Sequence, residues 1–527
     1  MLFRTLSCLL ALAALPLAPA LAQDSPQRVC GTDDVDVEIT RANIAAAKAF
    51  AKTHHGAQKH GALTYIPIRF KVIGNSDSTA EASAFNVISL VEAINRDFAP
   101  YDWRFFLEDV DGTPFDYFYD DGYNSGLSDD GNFVTANRSE SAITMYLVRD
   151  ASTQSETPGI VLGYYSPRQD ILVVRTQEVG TDAATATHEL GHYFGLPHTF
   201  RGWDFETWDG AICSDTNYNS PVQPIISPRG RGIEVELVTR GGGANCAEAG
   251  DLFCDTDADY NVGFGFPNCN YQGPVTDRNG DVLTPDEENF MSYFQDCDVY
   301  EFSAEQFASV RADRRSDRRD FLRGQADPIV TDTVTGRVVI TSPVTAETVE
   351  TFDAVTLTWE PVEHALYYYV EVSDSRSLTD ARSQVQRVVP ATQTSVFVDN
   401  LEPGDRYYAR VTPFNQLTVG RTSERLAFRT GVVSGVSVPE ALAGLALSPN
   451  PVERGGALTA TLHAEVAGDY DVSVLDATGR LVSTRATALA AGSNRLELTA
   501  ATQLPAGTYA VRVRSARGVS SRRFVVQ

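Results

Sequence analysis

Residues 188–198 read HELGHYFGLPH and carry the densest chemistry in the chain. On a helix, His188 and His192 stack on one face, close enough to share one metal ion. Glu189, one step round, reaches a water at that metal without being a ligand itself. Gly195 can take the positive φ that ends a helix, so that His198 swings back as a third nitrogen donor. Three imidazoles with an open fourth position describe a catalytic zinc, whereas structural zinc sites close all four positions. Zinc in that setting polarises a carbonyl and acidifies a water, and Glu189 is placed to act as general base. The chemistry is hydrolysis.

Those side chains converge only on a rigid frame, and residues 61–323 carry the pattern of one. Tyr65–Ile73 alternates as a strand, and Phe85–Phe98 follows with Val87, Leu90, Val91, Ile94 and Phe98 at helical spacing. Trp103–Leu107, Ala142–Val148 and Ile171–Val174 read as further strands, and the metal helix begins near Asp182 as its N-cap. This alternation predicts an α+β domain, a twisted mixed sheet backed by two helices. An edge strand within Gly163–Val174 would bind an extended peptide by strand addition.

Other residues bear on the same centre. Cys30, in Arg28-Val29-Cys30-Gly31-Thr32, lies in an alanine-rich stretch with a helix expected over Arg41–Lys52 and no strand pattern. Thiolate is a good zinc ligand, so Cys30 either fills the open position and holds the centre latent or pairs with the odd one among the other five cysteines. His54, His55 and His60 read as solvated linker residues. Residues 201–245, with Trp203 and Trp208 reading as exposed, form either a cleft wall or an ordinary insertion. Gly250–Asp259, GDLFCDTDAD, offers the oxygen-rich chemistry calcium requires but lacks EF-hand spacing, and a solvated acidic turn is the alternative. Met291 sits in the tight polar stretch Asn289–Tyr293, and Tyr293 can bring a hydroxyl to the metal or to a developing oxyanion. Ser303 and Gln306 form a capping box that opens a last helix running toward Arg323.

HELGHYFGLPHTF, Gly250-Asp251 with Asp255-Thr256, Asn289–Tyr293, Cys297 and Phe302-Ser303-x-x-Gln306 together resemble the pappalysin family of metzincin zinc peptidases. The resemblance spans roughly 61–323, and Cys30-Gly31 resembles the cysteine switch of bacterial pappalysin pro-segments. It implies zinc on His188, His192 and His198, Glu189 as general base, Met291 as the Met-turn residue and Tyr293 stabilising the tetrahedral intermediate. It also implies calcium at Asp251, the Cys254 carbonyl and Thr256, and a disulfide between Cys269 and Cys297. Asp257 stands where that family has proline, and the 201–245 insertion is longer than in its compact members. The pairing of Cys213, Cys246 and Cys254 stays open.

The rest of the chain addresses location and architecture. Residues 1–22 read as a signal peptide: Arg4, an apolar run over Leu6–Leu17, then Ala20-Leu21-Ala22. Residues 23–60 then form a pro-segment. No later stretch is apolar enough to cross a bilayer, and the cysteine usage fits an oxidising compartment. A net charge of −26 argues against nucleic acid and anionic lipid as partners. Beyond a polar linker, residues 335–431 read as an all-β sandwich whose Trp359 and Leu401-x-Pro403-x-x-x-Tyr407 resemble a fibronectin type III domain, as a spacer or a ligand-binding module. Residues 441–527 read as a second sandwich. There Ser448-Pro449-Asn450-Pro451, Gly507-Thr508-Tyr509 and Phe524-Val525-Val526 resemble a C-terminal sorting domain of type IX secretion. The expectation is a secreted or surface-attached zinc endopeptidase, acting on protein or peptide substrates and exported by the type IX machinery. A surface adhesin with a non-catalytic zinc module is the alternative.

Overall fold

The structure, a computed structural model, describes the chain from residue 28 onward. It leaves out 33–35, 54–62, 77–81, 126, 128–130, 152–159, 181–182, 204–233, 239–244, 265–268, 274, 278, 296, 353–354, 379–384, 399–400, 433–441, 465–466, 477–480, 499–503 and 516–517. The signal peptide, His54, His55, His60, Asp182, Trp208 and Cys213 therefore lie outside the described residues.

The N-terminal region mixes helix and sheet in the order β1 (Arg28–Cys30), α1 (Val37–Thr53), β2 (Thr64–Gly74), α2 (Ala84–Asp97), β3 (Trp103–Leu107) and β4 (Phe115–Tyr119). There follow α3 (Asp121–Asn124), α4 (Gly131–Asn137), β5 (Ile143–Val148), β6 (Ile160–Ser166), β7 (Ile171–Arg175), α5 (Ala184–Tyr193) and α6 (Ala304–Arg315). One mixed sheet runs β1-β6-β7-β5-β2-β3, with β4 continuing along β2. Only β6 and β7 pair antiparallel within it.

The alternation along β2 explains its two faces. Ile66, Ile68, Phe70 and Val72 join the core beneath α2, whose Val87, Leu90, Val91 and Ile94 face them. Arg69 and Lys71 are also buried, on the opposite face, where both bind Asp116 of β4. Phe98 sits at the centre of an aromatic cluster with Trp103, Phe105, Phe302 and Phe307, which ties α2 and β3 to α6.

Three expectations need correction. The stretch around Cys30 does form a strand, because β1 takes its hydrogen bonds from β6 in parallel register and needs no alternation of its own. Gly163–Val174 is not one strand but the hairpin β6–β7, and β1 covers the β6 edge. Trp203 is buried, stacked on Tyr260 at 4.8 Å, because the strap after the metal motif folds inward.

After α6 and a short 3₁₀ helix at Asp317–Leu322, the described residues form β structure. A first pair of sheets holds β8 (Ile340–Ser342), β9 (Val355–Trp359) and β12 (Ser395–Val398) against β10 (Tyr367–Ser373), β11 (Val385–Pro390), β13 (Arg406–Phe414) and β14 (Leu426–Arg429). They share one core containing Trp359. The Tyr407 hydroxyl accepts the Glu402 N–H at 2.8 Å and fixes a corner of this unit. A second pair holds β15 (Leu442–Ser448), β16 (Leu458–Ala464) and β19 (Gly492–Leu498) against β17 (Gly468–Asp476), β18 (Leu481–Leu489), β20 (Gly507–Ser515) and β21 (Gly518–Val526).

The first of these β units is seated directly on the N-terminal region. Leu107 N–H donates to the Gln416 carbonyl at 2.9 Å, and Gln416 Nε2 donates back to the Leu107 carbonyl at 2.8 Å. Tyr367, Tyr369 and Phe414 belong to the same core as α2 and β3. The contact closes the free edge of β3, an end that would otherwise expose unpaired backbone.

Candidate metal centre

Helix α5 places His188 and His192 on one buried face, and its end explains the third donor. Gly195 adopts φ +86°, which turns the chain out of the helix and returns His198 toward the same point. Ala183 holds the cap position without a side-chain bond, so the helix starts later than an Asp182 cap would give. The Nε2 atoms of His188, His192 and His198 lie 3.0, 3.1 and 3.2 Å apart. Cys30 Sγ falls in the same cluster, all four donor atoms lying within 4.8 Å of one another and all four residues buried.

The tautomers follow from the hydrogen bonds. His188 Nδ1 meets the Phe290 carbonyl at 2.6 Å and His192 Nδ1 the Leu196 carbonyl at 2.8 Å. A carbonyl only accepts, so both Nδ1 atoms carry hydrogen and both Nε2 atoms present lone pairs. Burial pushes His188 down to about 3 and His192 well down, with His198 adding to both, so neither ring is an imidazolium. Lone pairs aimed at one another repel unless a cation lies between them. Zinc–nitrogen bonds at tetrahedral angles hold nitrogens about 3.3 Å apart, so the donor set fits that ion. Burial, and next the Glu189 carboxylate, push the Cys30 thiol well up, so a thiolate there also calls for a cation.

Glu189 is fully buried, and burial raises its carboxyl to about 8 against hydrogen bonds from Cys30, Thr32 and Tyr165. Its Oε2 accepts the Thr32 hydroxyl at 2.9 Å. Thr32 Oγ1 in turn accepts Tyr165 N–H at 2.8 Å, and Gly31 N–H donates to the Gly163 carbonyl at 2.8 Å. Tyr293 reaches the same point from the opposite wall: its hydroxyl accepts Cys30 N–H at 2.9 Å. A cavity of about 200 Å³ opens beside these groups, lined by Leu162, Glu178, Thr185, Phe290, Phe294 and Tyr300 among others.

Met291 lies beneath α5, fully buried. A side-chain carbon added to Gly191 would run into its sulfur, so glycine at 191 is what lets the methionine pack there. The N-terminal helix α1 covers the far side of the motif. Thr40 donates to the Gly195 carbonyl at 2.9 Å, and Asn43 Nδ2 to Asp313 Oδ1 at 3.2 Å. Behind Tyr193, buried Arg319 stacks on the ring at 3.4 Å and pairs with Asp313 and Asp170.

The other expected residues are placed as follows. Cys269 and Cys297 are bridged, and so are Cys246 and Cys254, while Cys30 is free. Asp251 is buried and accepts the Thr256 hydroxyl at 2.9 and 3.1 Å and Phe253 N–H at 3.0 Å. Among the described residues, the His, Cys and carboxylate group able to hold a metal is the one at His188, not this one. Reading the sequence missed Thr32, whose only signal was its place two residues after Cys30. Asp259 stood there only as the end of the Gly250–Asp259 stretch, with no tie to the histidines, and it is buried.

Residues 342–429 match the fibronectin type III domain and residues 446–527 the secretion system C-terminal sorting domain. The chain carries both. The second marks it for export, secreted or attached at the cell surface. An extracellular metalloprotease of Verticillium alfalfae is 28% identical over 239 residues, covering 41% of this chain and 80% of that protein. Another from Sordaria macrospora is 27% identical over 255 residues, covering 43% and 82%. These relatives support a metalloprotease-type region N-terminal to the two matched domains. The solved fibronectin type III domain of human contactin 1 is 17% identical, covering 22% of this chain and 92% of that one, with a TM-score of 0.17.

Proposed function

We propose that the chain is an exported zinc-dependent endopeptidase of the metzincin type, similar to the pappalysins. The observation that carries the reading is the convergence of three Nε2 atoms, from three buried histidines, beside the buried Glu189 carboxyl. His188, His192 and His198 would hold the ion. Zinc, when bound, supplies the positive charge that polarises a scissile carbonyl and acidifies a water. Glu189 would take the proton from the attacking water and pass it to the leaving amine. The Tyr293 hydroxyl, freed from Cys30, donates to the oxyanion. The edge of β6, once β1 leaves it, accepts the substrate backbone as an added strand.

Residues 23–60 serve in this reading as a latency segment with two points of blockade. Cys30 Sγ supplies the fourth donor, and Thr32 engages the general base. Calcium at Asp251, the Cys254 carbonyl and Thr256 is a separate structural proposal that rests on the resemblance, with Asp251 and Thr256 buried and hydrogen-bonded to each other. Cleavage of a denatured protein by the processed chain tests the whole reading. Zinc chelation must abolish that cleavage and zinc must restore it; cleavage that survives complete metal removal would refute the mechanism.

A further inference from the structure

Two of the three nitrogen donors ride on α5, but His198 comes from a strap, residues 196–203, with no helix or strand of its own. A donor on irregular backbone keeps its place only through what that backbone is tied to. Thr199, next to His198, donates its N–H to the Met291 carbonyl at 3.2 Å and its hydroxyl to Asp259 Oδ2 at 2.9 Å. Ser292, next to Met291, donates its hydroxyl to the same Oδ2 at 3.3 Å. Asp259 Oδ1 accepts Val262 N–H at 3.3 Å. One carboxylate, 3% exposed, thus joins the strap, the turn beneath the metal helix and the 259–262 turn. The far end of the strap is fastened to the same segment, where Asn261 Nδ2 donates to the Trp203 carbonyl at 3.1 Å.

We infer that Asp259 is a positioning residue of the metal centre: its carboxylate locks the His198 strap to the Met291 turn and so presents the third nitrogen to the ion. The inference rests on the zinc reading above. Asp259 touches neither the donors nor a substrate, and it acts through Thr199 and Ser292. Both hydroxyls donate to one oxygen while an N–H donates to the other; an asparagine keeps the Val262 N–H bond only by turning its NH₂ toward the two hydroxyls, which must then accept.

The test compares full-length wild type, Asp259→Ala, Asp259→Asn and Thr199→Val, each loaded with zinc and dialysed against a graded chelator. Zinc retention is followed alongside the melting temperatures of the metal-free and metal-loaded proteins. Asp259→Ala and Thr199→Val are expected to release zinc about tenfold more readily, the lower end of what outlying hydrogen bonds of metal ligands are worth. Asp259→Asn should fall between them and wild type. A purely structural role would lower both melting temperatures together and leave retention unchanged, which would overturn the inference. If Asp259→Ala does not fold, Thr199→Val, which removes one hydroxyl, decides the matter alone. A wild type that takes up no zinc would overturn instead the reading on which this rests.

Discussion

The proposed blockade at two points makes a quantitative prediction for the uncleaved chain. Cys30→Ala removes the fourth donor and the sulfur that accepts Thr32 N–H, but leaves the Gly31–Gly163 bond and both bonds of the Thr32 hydroxyl. Thr32→Val, nearly isosteric, removes the hydroxyl that lies between Glu189 and Tyr165. The bond to a buried carboxylate is worth ~1.5–3 kcal/mol, while Tyr165 N–H keeps Glu189 as an acceptor. A loss of about 2 kcal/mol shifts the ratio of closed to open segment by roughly thirtyfold. Cys30→Ala alone should therefore stay far less active than processed enzyme, and Cys30→Ala with Thr32→Val should approach it. The assay is the initial rate on a quenched-fluorescent peptide, with intact mass confirming that residues 23–60 are still attached. Full activity in Cys30→Ala, unchanged by adding Thr32→Val, would refute the second point of blockade.

Other perturbations reach the frame. Gly191→Ala forces a carbon against Met291 Sδ and Phe302, and should cost ~1–3 kcal/mol, read as a lower melting temperature and weaker zinc retention. For Asp116, burial would raise the carboxyl, but hydrogen bonds and charges from Arg69 and Lys71 win and hold it below its ordinary value. A lowered folded value means stability that is complete above the unfolded carboxylate range and lost as pH falls through the folded value. Asp116→Asn should therefore be destabilised near neutrality, by ~3–5 kcal/mol because Arg69 is left buried, and approach wild type only in strong acid, as followed by urea melts against pH. Gln416→Ala strands the Leu107 carbonyl and Ile329 N–H and should lower the melting temperature of the N-terminal region itself by a few degrees; an independent spacer would leave that transition untouched.

The sequence was most legible where the information is local. The spacing in HELGHYFGLPH needs only a helix and one left-handed glycine, and α5 with Gly195 supplies both. The alternation of β2 and the helical spacing of α2 were equally readable, ending within a residue or two of the observed bounds. What stayed hidden depends on distant partners. A three-residue strand such as β1 has no pattern, because its stability comes from β6 and from Tyr293, 263 residues away. Thr32 and Asp259 are ordinary polar residues until the fold brings Glu189 to one and Thr199 to the other. Arg319 carries no signal of its own in the sequence, yet two aspartates and the Tyr193 ring enclose it completely. The seat of the first β unit on β3 likewise has no signature in either segment alone.

The central claim is that Glu189 acts as the base at a zinc held by His188, His192 and His198. It is tested most directly by the peptide-cleavage rate of processed Glu189→Gln that has been shown to retain one zinc per chain. Retained metal and a rate at least about a hundredfold below wild type are expected, the span for removing a general base. A zinc-loaded Glu189→Gln that cleaves within a few-fold of wild type would contradict it.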